Sequence, residues 1–279
     1  MTTTSVAPER ATDRAPKRFR HDVRLRCLDV RRTTRIAPSM VRVTLGGPEL
    51  EGFVSLAFDD HVKMFFSAPG ETQPRLPSIG PNGIEPSDDA RKPIARDYTV
   101  RRHDTKSEEI DIDFALHDEG PASDWAASAK PGDRAWIAGP RSSLVIPLDF
   151  DWHLLIADES GLPALARRLE ELPKGARVVA LIEVDGAADE IALRCAADAD
   201  IYWAHRNGVA PNKAGGLLEA LEATNLPSGD YYAWIACESL VAKQARSFLI
   251  EYRGANPKWM RASGYWRRGE AGAHDSHDE

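Results

Sequence analysis

Cysteine is scarce in this 279-residue chain: Cys27, Cys195 and Cys237 stand far apart, which fits neither a disulfide framework nor a spaced metal site. They read as thiols in a reducing compartment. No run approaches the roughly 18 uninterrupted apolar residues of a membrane-spanning helix, and the opening MTTTSVAPERATDRAPKRFR has no apolar core of a secretory signal. The Gly-x-Gly-x-x-Gly dinucleotide fingerprint is missing after the first strand of the second half. So is any clustered set of His, Cys and carboxylates spaced for a metal. The expectation is a monomer in the cytoplasm, with no metal, no membrane and no nucleic acid among its partners. Acidic residues outnumber basic ones 43 to 36, a net charge of −7. Residues 1–35 reverse that balance with ten basic residues against four acidic ones. A basic arm can neutralise phosphates, but this one has only Phe19 as an aromatic and would work against an acidic body.

Hydrophobic residues make up 42% of the chain, enough for real cores, and the length fits two domains. Residues 1–18 read as a disordered tail. From about residue 20 the apolar pattern alternates: Val23, Leu25 and Cys27, then Val41, Val43 and Leu45, then strands at 61–66, 96–102, 110–117 and 134–138. A proline-rich loop covers 69–93. Near residue 150 the pattern switches to mostly apolar strands at 152–157, 177–184, 201–204 and 231–236. Helices at about 162–172, 216–223 and 239–252 alternate with them, the first carrying Leu162, Leu165, Leu169 and Leu172 as one stripe. The fold expected is β + α/β: an N-terminal antiparallel β-barrel over 19–149 and a C-terminal Rossmann-like parallel-sheet domain over 150–269. Residues 270–279 form a flexible tail.

Arg96-Asp-Tyr98-Thr99-Val100-Arg101 is the most informative segment. On a strand, Arg96, Tyr98 and Val100 share one face. An aromatic ring beside guanidinium groups suits a planar anionic cofactor, although an ordinary edge strand reads the same way. The stretch from Asp113 through His117 to Gly120-Pro121-Ala122-Ser123 and Trp125 reads as a strand, a turn and a helix start. Free N–H groups there suit a phosphate, with Ser123 as the natural N-cap. Asp158-Glu159-Ser160 follows the first strand of the second domain, where an open α/β sheet binds its ligands.

Taken in order, these segments resemble the siderophore-interacting proteins, FAD-dependent ferric-siderophore reductases related to ferredoxin–NADP reductases. The likeness continues through His61-Val-Lys63, Ala157-Asp-Glu-Ser-Gly-Leu-Pro-Ala164, Trp203-Ala-His-Arg206 and Arg261-Ala-Ser-Gly-Tyr-Trp-Arg267. The resemblance implies that Arg96, Tyr98, Thr99 and Val100 hold FAD, with His117, Pro121, Ala122 and Ser123 completing the site and Trp125 beneath it. It implies that Asp158, Glu159 and Ser160 belong to a nicotinamide site. His205 and Arg206 follow the third strand and are candidates to meet a 2′-phosphate, with NADPH or NADH as donor. Lys63 and Arg261, then Lys258 and Arg267, are the candidates for holding the ferric siderophore. Ala157 and Cys237 stand where the family has glycine, and Cys237 is expected to crowd the nicotinamide. The chemistry implied is reduction of Fe(III)-siderophore by NAD(P)H through FAD. The alternatives are a siderophore-binding protein with little turnover or a general flavin reductase.

Overall fold

The computed structural model describes residues 14–80, 83–85, 92–117, 120–210, 216–270, 272 and 275–277. Its first half is one seven-stranded sheet, in the order Ile94–Thr99, His61–Phe66, Arg134–Ala138, Leu25–Ala37, Met40–Gly46, Glu109–Ala115, Arg102–Asp104. Every neighbouring pair is antiparallel. The two edge strands follow one another in the chain, joined only by Val100 and Arg101. A flat sheet of this size would separate its edges by roughly 29 Å, whereas the three steps from Thr99 to Arg102 reach at most about 11 Å. The sheet therefore curls round on itself as the expected barrel. Leu28, Val43, Leu45, Ile110, Ile112, Phe114 and Ile137 fill its interior.

The second half carries a six-stranded sheet. Asp198–His205, Arg177–Val184, Trp152–Ala157, Tyr231–Glu238 and Met260–Trp266 run parallel, and Asp275–Ser276 adds an antiparallel edge. Helix Leu162–Glu171 packs on one face; Gly216–Ala223 and Ser239–Arg253 pack on the other. The central strands are buried along almost their whole length, as strands covered on both faces must be. No helix among the described residues is long and apolar enough to cross a membrane.

Three departures from the sequence reading concern the edges. Residues 14–18 are not a tail: Lys17–Arg20 pairs with Ser142–Val145, and Arg14 is buried between Asp149 and Asp230 with its guanidinium over Phe150 and Trp259. Residues 1–13 of the expected tail lie outside the described residues, as do Pro81 and Pro86 of the proline-rich loop. The expected C-terminal tail contributes a strand, with Ser276 opposite Ser263. Met260–Trp266 itself escapes hydropathy because its middle is Ala262-Ser263-Gly264. A Cβ on Gly264 would sit 2.7 Å from Ser239 Cα, so only a small residue fits beneath that helix.

The two halves are bolted together by charge. Arg167 donates to the Val100 carbonyl (2.8 Å) and to Ser55 Oγ (2.8 Å). Arg101 forks onto Glu170 at 2.9 and 2.7 Å, and Arg261 meets Asp59 at 3.0 Å.

Candidate active site

The Ile94–Thr99 strand puts Tyr98 into an aromatic cluster. Its ring lies 4.3 Å from Phe114 and 6.3 Å from Phe66, and Trp125 closes the group at 5.6 Å from Phe114 and 6.0 Å from Phe66. Burial holds the Tyr98 phenol well above its ordinary range. Arg96, on the same face, donates Nη1 to the Ala95 carbonyl at 2.8 Å and has no carboxylate partner among the described residues. Thr99 is buried, and the Tyr265 phenol bonds to its side chain.

Val100 does not share this surface. Its side chain is fully buried in the barrel, its N–H goes to the Asp60 carbonyl (2.8 Å), and its carbonyl takes Arg167. The chain turns inward there to close the barrel, leaving Val100 no group for a cofactor.

The helix behind the aromatic cluster is Pro121–Ser128. Gly120 is its N-cap at φ +143°, a conformation that favours glycine, and no side chain caps it. Ser123 is therefore not the cap. Pro121 takes the first helical position, which places Ser123 third, its Oγ accepting from the His117 N–H at 3.3 Å. The positive end of the helix dipole lies in the first turn, and Trp125 of the same helix packs against Phe66 and Phe114 of the cluster. An arginine with no carboxylate partner among the described residues, a helix start without a side-chain cap and a partly buried aromatic wall are compatible with a planar ring carrying a pyrophosphate, as in FAD.

At the carboxyl ends of the parallel strands, Asp158 is buried and saturated. Oδ1 accepts from the Ser160 N–H (2.9 Å) and Ser160 Oγ, while Oδ2 accepts from the Glu238 N–H (3.0 Å) and Trp266 Nε1 (2.8 Å). Burial pushes its pKa up against the pull of these donors. Glu238 caps the Ser239–Arg253 helix through the N–H groups of Leu240 and Val241 (2.8 and 3.1 Å). Gly161 lies against the backbone of the next strand: a Cβ there would fall 2.2 Å from the Ala236 carbonyl oxygen. Gly161→Ala is expected to cost about 1–3 kcal/mol by forcing that loop off the sheet, read as a lower urea midpoint with unchanged far-UV circular dichroism. An unchanged midpoint would disprove the contact.

Arg206 is engaged elsewhere than a 2′-phosphate. It is buried, forks onto Glu159, and reaches Glu183 Oε1 at 3.3 Å. Against the burial of its guanidinium, Glu159 and Glu183 hold its pKa above the ordinary range. Glu183 in turn accepts from the Leu217 N–H (3.0 Å), tying the Arg177–Val184 strand to the Gly216–Ala223 helix. His205 bonds to Glu190 at 2.8 Å on the outer edge. Cys237 is buried in the core beneath the Ser239–Arg253 helix with Ala242 and Met260, its thiol pushed up by burial. It does not crowd the crevice.

The four cations expected at the chelate do not form one cluster. Lys63 pairs with Asp97 (2.7 Å), Arg261 with Asp59, and Arg267 with Glu270 and Asp275 (3.0 and 2.6 Å). Lys258 lies in the Pro257–Trp259 turn before Met260–Trp266, so the whole strand, roughly 20 Å long, separates it from Arg267.

Comparison with known proteins places this architecture. The profile of the siderophore-interacting FAD-binding domain matches residues 29–144, and that of the siderophore-interacting protein matches residues 150–269. The chain belongs to the siderophore-interacting protein family. A relative in this family, the NADPH-dependent ferric-chelate reductase of Escherichia coli (strain K12), is 40% identical over 263 residues, covering 91% of this chain and 98% of the relative. The ferric vibriobactin reductase of Vibrio cholerae is 34% identical over 251 residues, 88% of this chain and 90% of its own. A siderophore utilization protein from T. fusca has the same fold, with a TM-score of 0.88 at 42% identity over 94% of this chain and 99% of that one. The crevice here also uses Glu238, which the sequence reading did not assign to the site and whose only signal was the proximity of an acid to a helix start.

Proposed function

We propose that this chain is an FAD-dependent ferric-siderophore reductase that draws its electrons from NADPH and works in the cytoplasm. Residues 19–149 form the flavin domain and 150–269 the nicotinamide domain. One observation carries the reading: Arg96, with no carboxylate partner among the described residues, shares a strand with Tyr98, whose aromatic cluster is closed by Trp125 of the Pro121–Ser128 helix. The full-length likeness to a protein named as an NADPH-dependent ferric-chelate reductase supports the same conclusion.

When bound, FAD converts the two-electron chemistry of a nicotinamide donor into the one-electron steps that ferric iron needs. The chain's own residues position and shield. Arg96 and the first turn of Pro121–Ser128 hold the pyrophosphate, Tyr98 and Thr99 form the wall for the ring, and Trp125 and Phe114 keep water from behind it. Asp158, by fixing Ser160, Glu238 and Trp266 together, sets the floor of the nicotinamide crevice. Lys63 and Arg261, each held by one carboxylate, border the interdomain cleft as anchored cations for an anionic chelate. Oxygen chelators hold Fe(II) less strongly than Fe(III), so reduction releases the metal without a protein iron cage.

The test is spectroscopic. The purified protein should be yellow, bleach on anaerobic addition of NADPH, and deliver Fe(II) from a ferric siderophore to a ferrous chelator. Colourless protein that refuses added FAD ends the proposal, and faster reduction of free flavin than of ferric chelate makes it a general flavin reductase instead. Arg96→Leu is expected to weaken FAD binding about ten- to hundredfold, the worth of one charge-assisted contact to phosphate. Fluorescence titration of the apoprotein measures this, and wild-type affinity in the variant would remove Arg96 from the site.

A further inference from the structure

The net-basic head of the chain is not used by the flavin reading. Its folded part, with Gly52, Val54 and the Gly139-Pro140 turn, encloses a hollow of about 250 Å³. Arg20, His21, Arg24 and Arg26 line it, and Asp22 is the one carboxylate among the lining residues. Arg26 is 4% exposed, yet all its hydrogen bonds go to neutral carbonyls: Nε to Glu49 (2.8 Å), and Nη1 to Arg24 (3.4 Å) and Gly139 (3.3 Å). These contacts fix the guanidinium and leave Nη2 without a partner among the described residues. Arg20 and Arg24 are exposed and have no ion pair among the described residues. The rim is held in place by the His21 N–H on the Arg141 carbonyl (3.0 Å) and by His21 Nε2 against Ser143 Oγ (2.7 Å).

We propose that this hollow binds a phosphate group. Among the lining residues three guanidinium groups stand against one carboxylate, an excess of two positive charges that the Glu49 carboxylate, outside the lining, offsets in part at Arg26, and this excess suits a phosphate anion. The planar forks of arginine match phosphate oxygens two at a time. The buried member, Arg26, is positioned before any ligand arrives, so little ordering entropy opposes binding. Burial, and after it the crowding of Arg24, lower the Arg26 pKa against the pull of Glu49; an anion between the two arginines relieves that crowding. A single carboxylate ligand would leave one of the two positive charges unbalanced.

The phosphate has two possible carriers: free in solution, or the headgroup of an anionic lipid, for which the exposed Val54 and Phe19 nearby offer apolar contact. Calorimetric titration with inorganic phosphate at low ionic strength tests the first. Co-sedimentation with vesicles of phosphatidylcholine, with and without phosphatidic acid, whose phosphomonoester headgroup can carry two negative charges, tests the second. The doubly substituted Arg20→Gln, Arg24→Gln protein is the control; both side chains are exposed, and its fold is checked by circular dichroism and melting temperature. Saturable binding in either arm, weakened at least tenfold in the double variant, supports the site and names its carrier. No saturable binding in both arms, or binding that the double variant retains, overturns it. Neither outcome depends on whether the protein reduces iron, so this site and the reductase reading stand or fall separately.

Discussion

Asp158→Ala is expected to lower unfolding stability by about 3–5 kcal/mol, because it strands several buried donors at once. Two backbone N–H groups, of Ser160 and Glu238, and the indole N–H of Trp266 all end on this carboxylate. None of the three elements they belong to can turn its donor to water without leaving its place at the sheet's carboxyl end. Both oxygens already accept two donors, so the shape alone does not suffice. In Asp158→Asn the amide nitrogen confronts at least one N–H, and an intermediate loss is expected. Urea denaturation followed by tryptophan fluorescence measures both variants. A loss under about 1 kcal/mol for Asp158→Ala would show that the converging bonds contribute little net stability.

His153 should make the protein acid-labile in a defined window. It lies on the buried strand Trp152–Ala157, and neither ring nitrogen has a partner among the described residues. Burial, reinforced by the Arg168 guanidinium, lowers its pKa from 6.5 to about 3. Around it stand Phe150, Tyr232 and, near Arg168, Asp59 and Glu171. The folded pKa lies below the unfolded one, so the stabilising contribution is whole above about pH 6.5. It is lost progressively as pH falls towards 3, at up to about 1.4 kcal/mol per pH unit. His153→Leu removes an unsatisfied polar ring at similar volume. Its stability at pH 7 should match or exceed that of the wild type, and the gap between the two proteins should widen as pH falls from 6.5 to 4. Melting temperatures across that range decide the matter. Parallel pH profiles for the two proteins would mean that water or a neighbour satisfies the ring.

The barrel was legible because its strands alternate apolar with polar side chains, so Val41, Val43 and Leu45 or Ile110, Ile112 and Phe114 announce themselves by alternation, although Thr44, Asp111 and Asp113 on the polar face are buried as well. The parallel strands were legible for the opposite reason: VVALIEV is dry on both faces. Met260–Trp266 gave no such signal, since a strand pressed against a helix start must be built from small residues, and small residues carry no hydropathy. Of the candidate site, Tyr98 and Trp125, distant in the chain, both pack against Phe66 and Phe114 in one aromatic cluster. Val100, Ser123, Arg206 and Cys237 could not be placed from spacing. What each does depends on a partner distant in the chain, such as Arg167 for the carbonyl of Val100 and Glu159 for Arg206. Long-range electrostatic pairing leaves no local periodicity to read.

The two-residue bridge that shuts the barrel has one more implication. Val100 and Arg101 are also the residues grasped by Arg167 and Glu170 of the second domain's first helix. The seam of the cylinder and the hinge line between the halves are thus the same few atoms. Any wide swing of one half away from the other would have to break the Arg167 and Glu170 contacts at that seam, so a rotation of the domains acts first on the residues that join the cylinder's two edge strands.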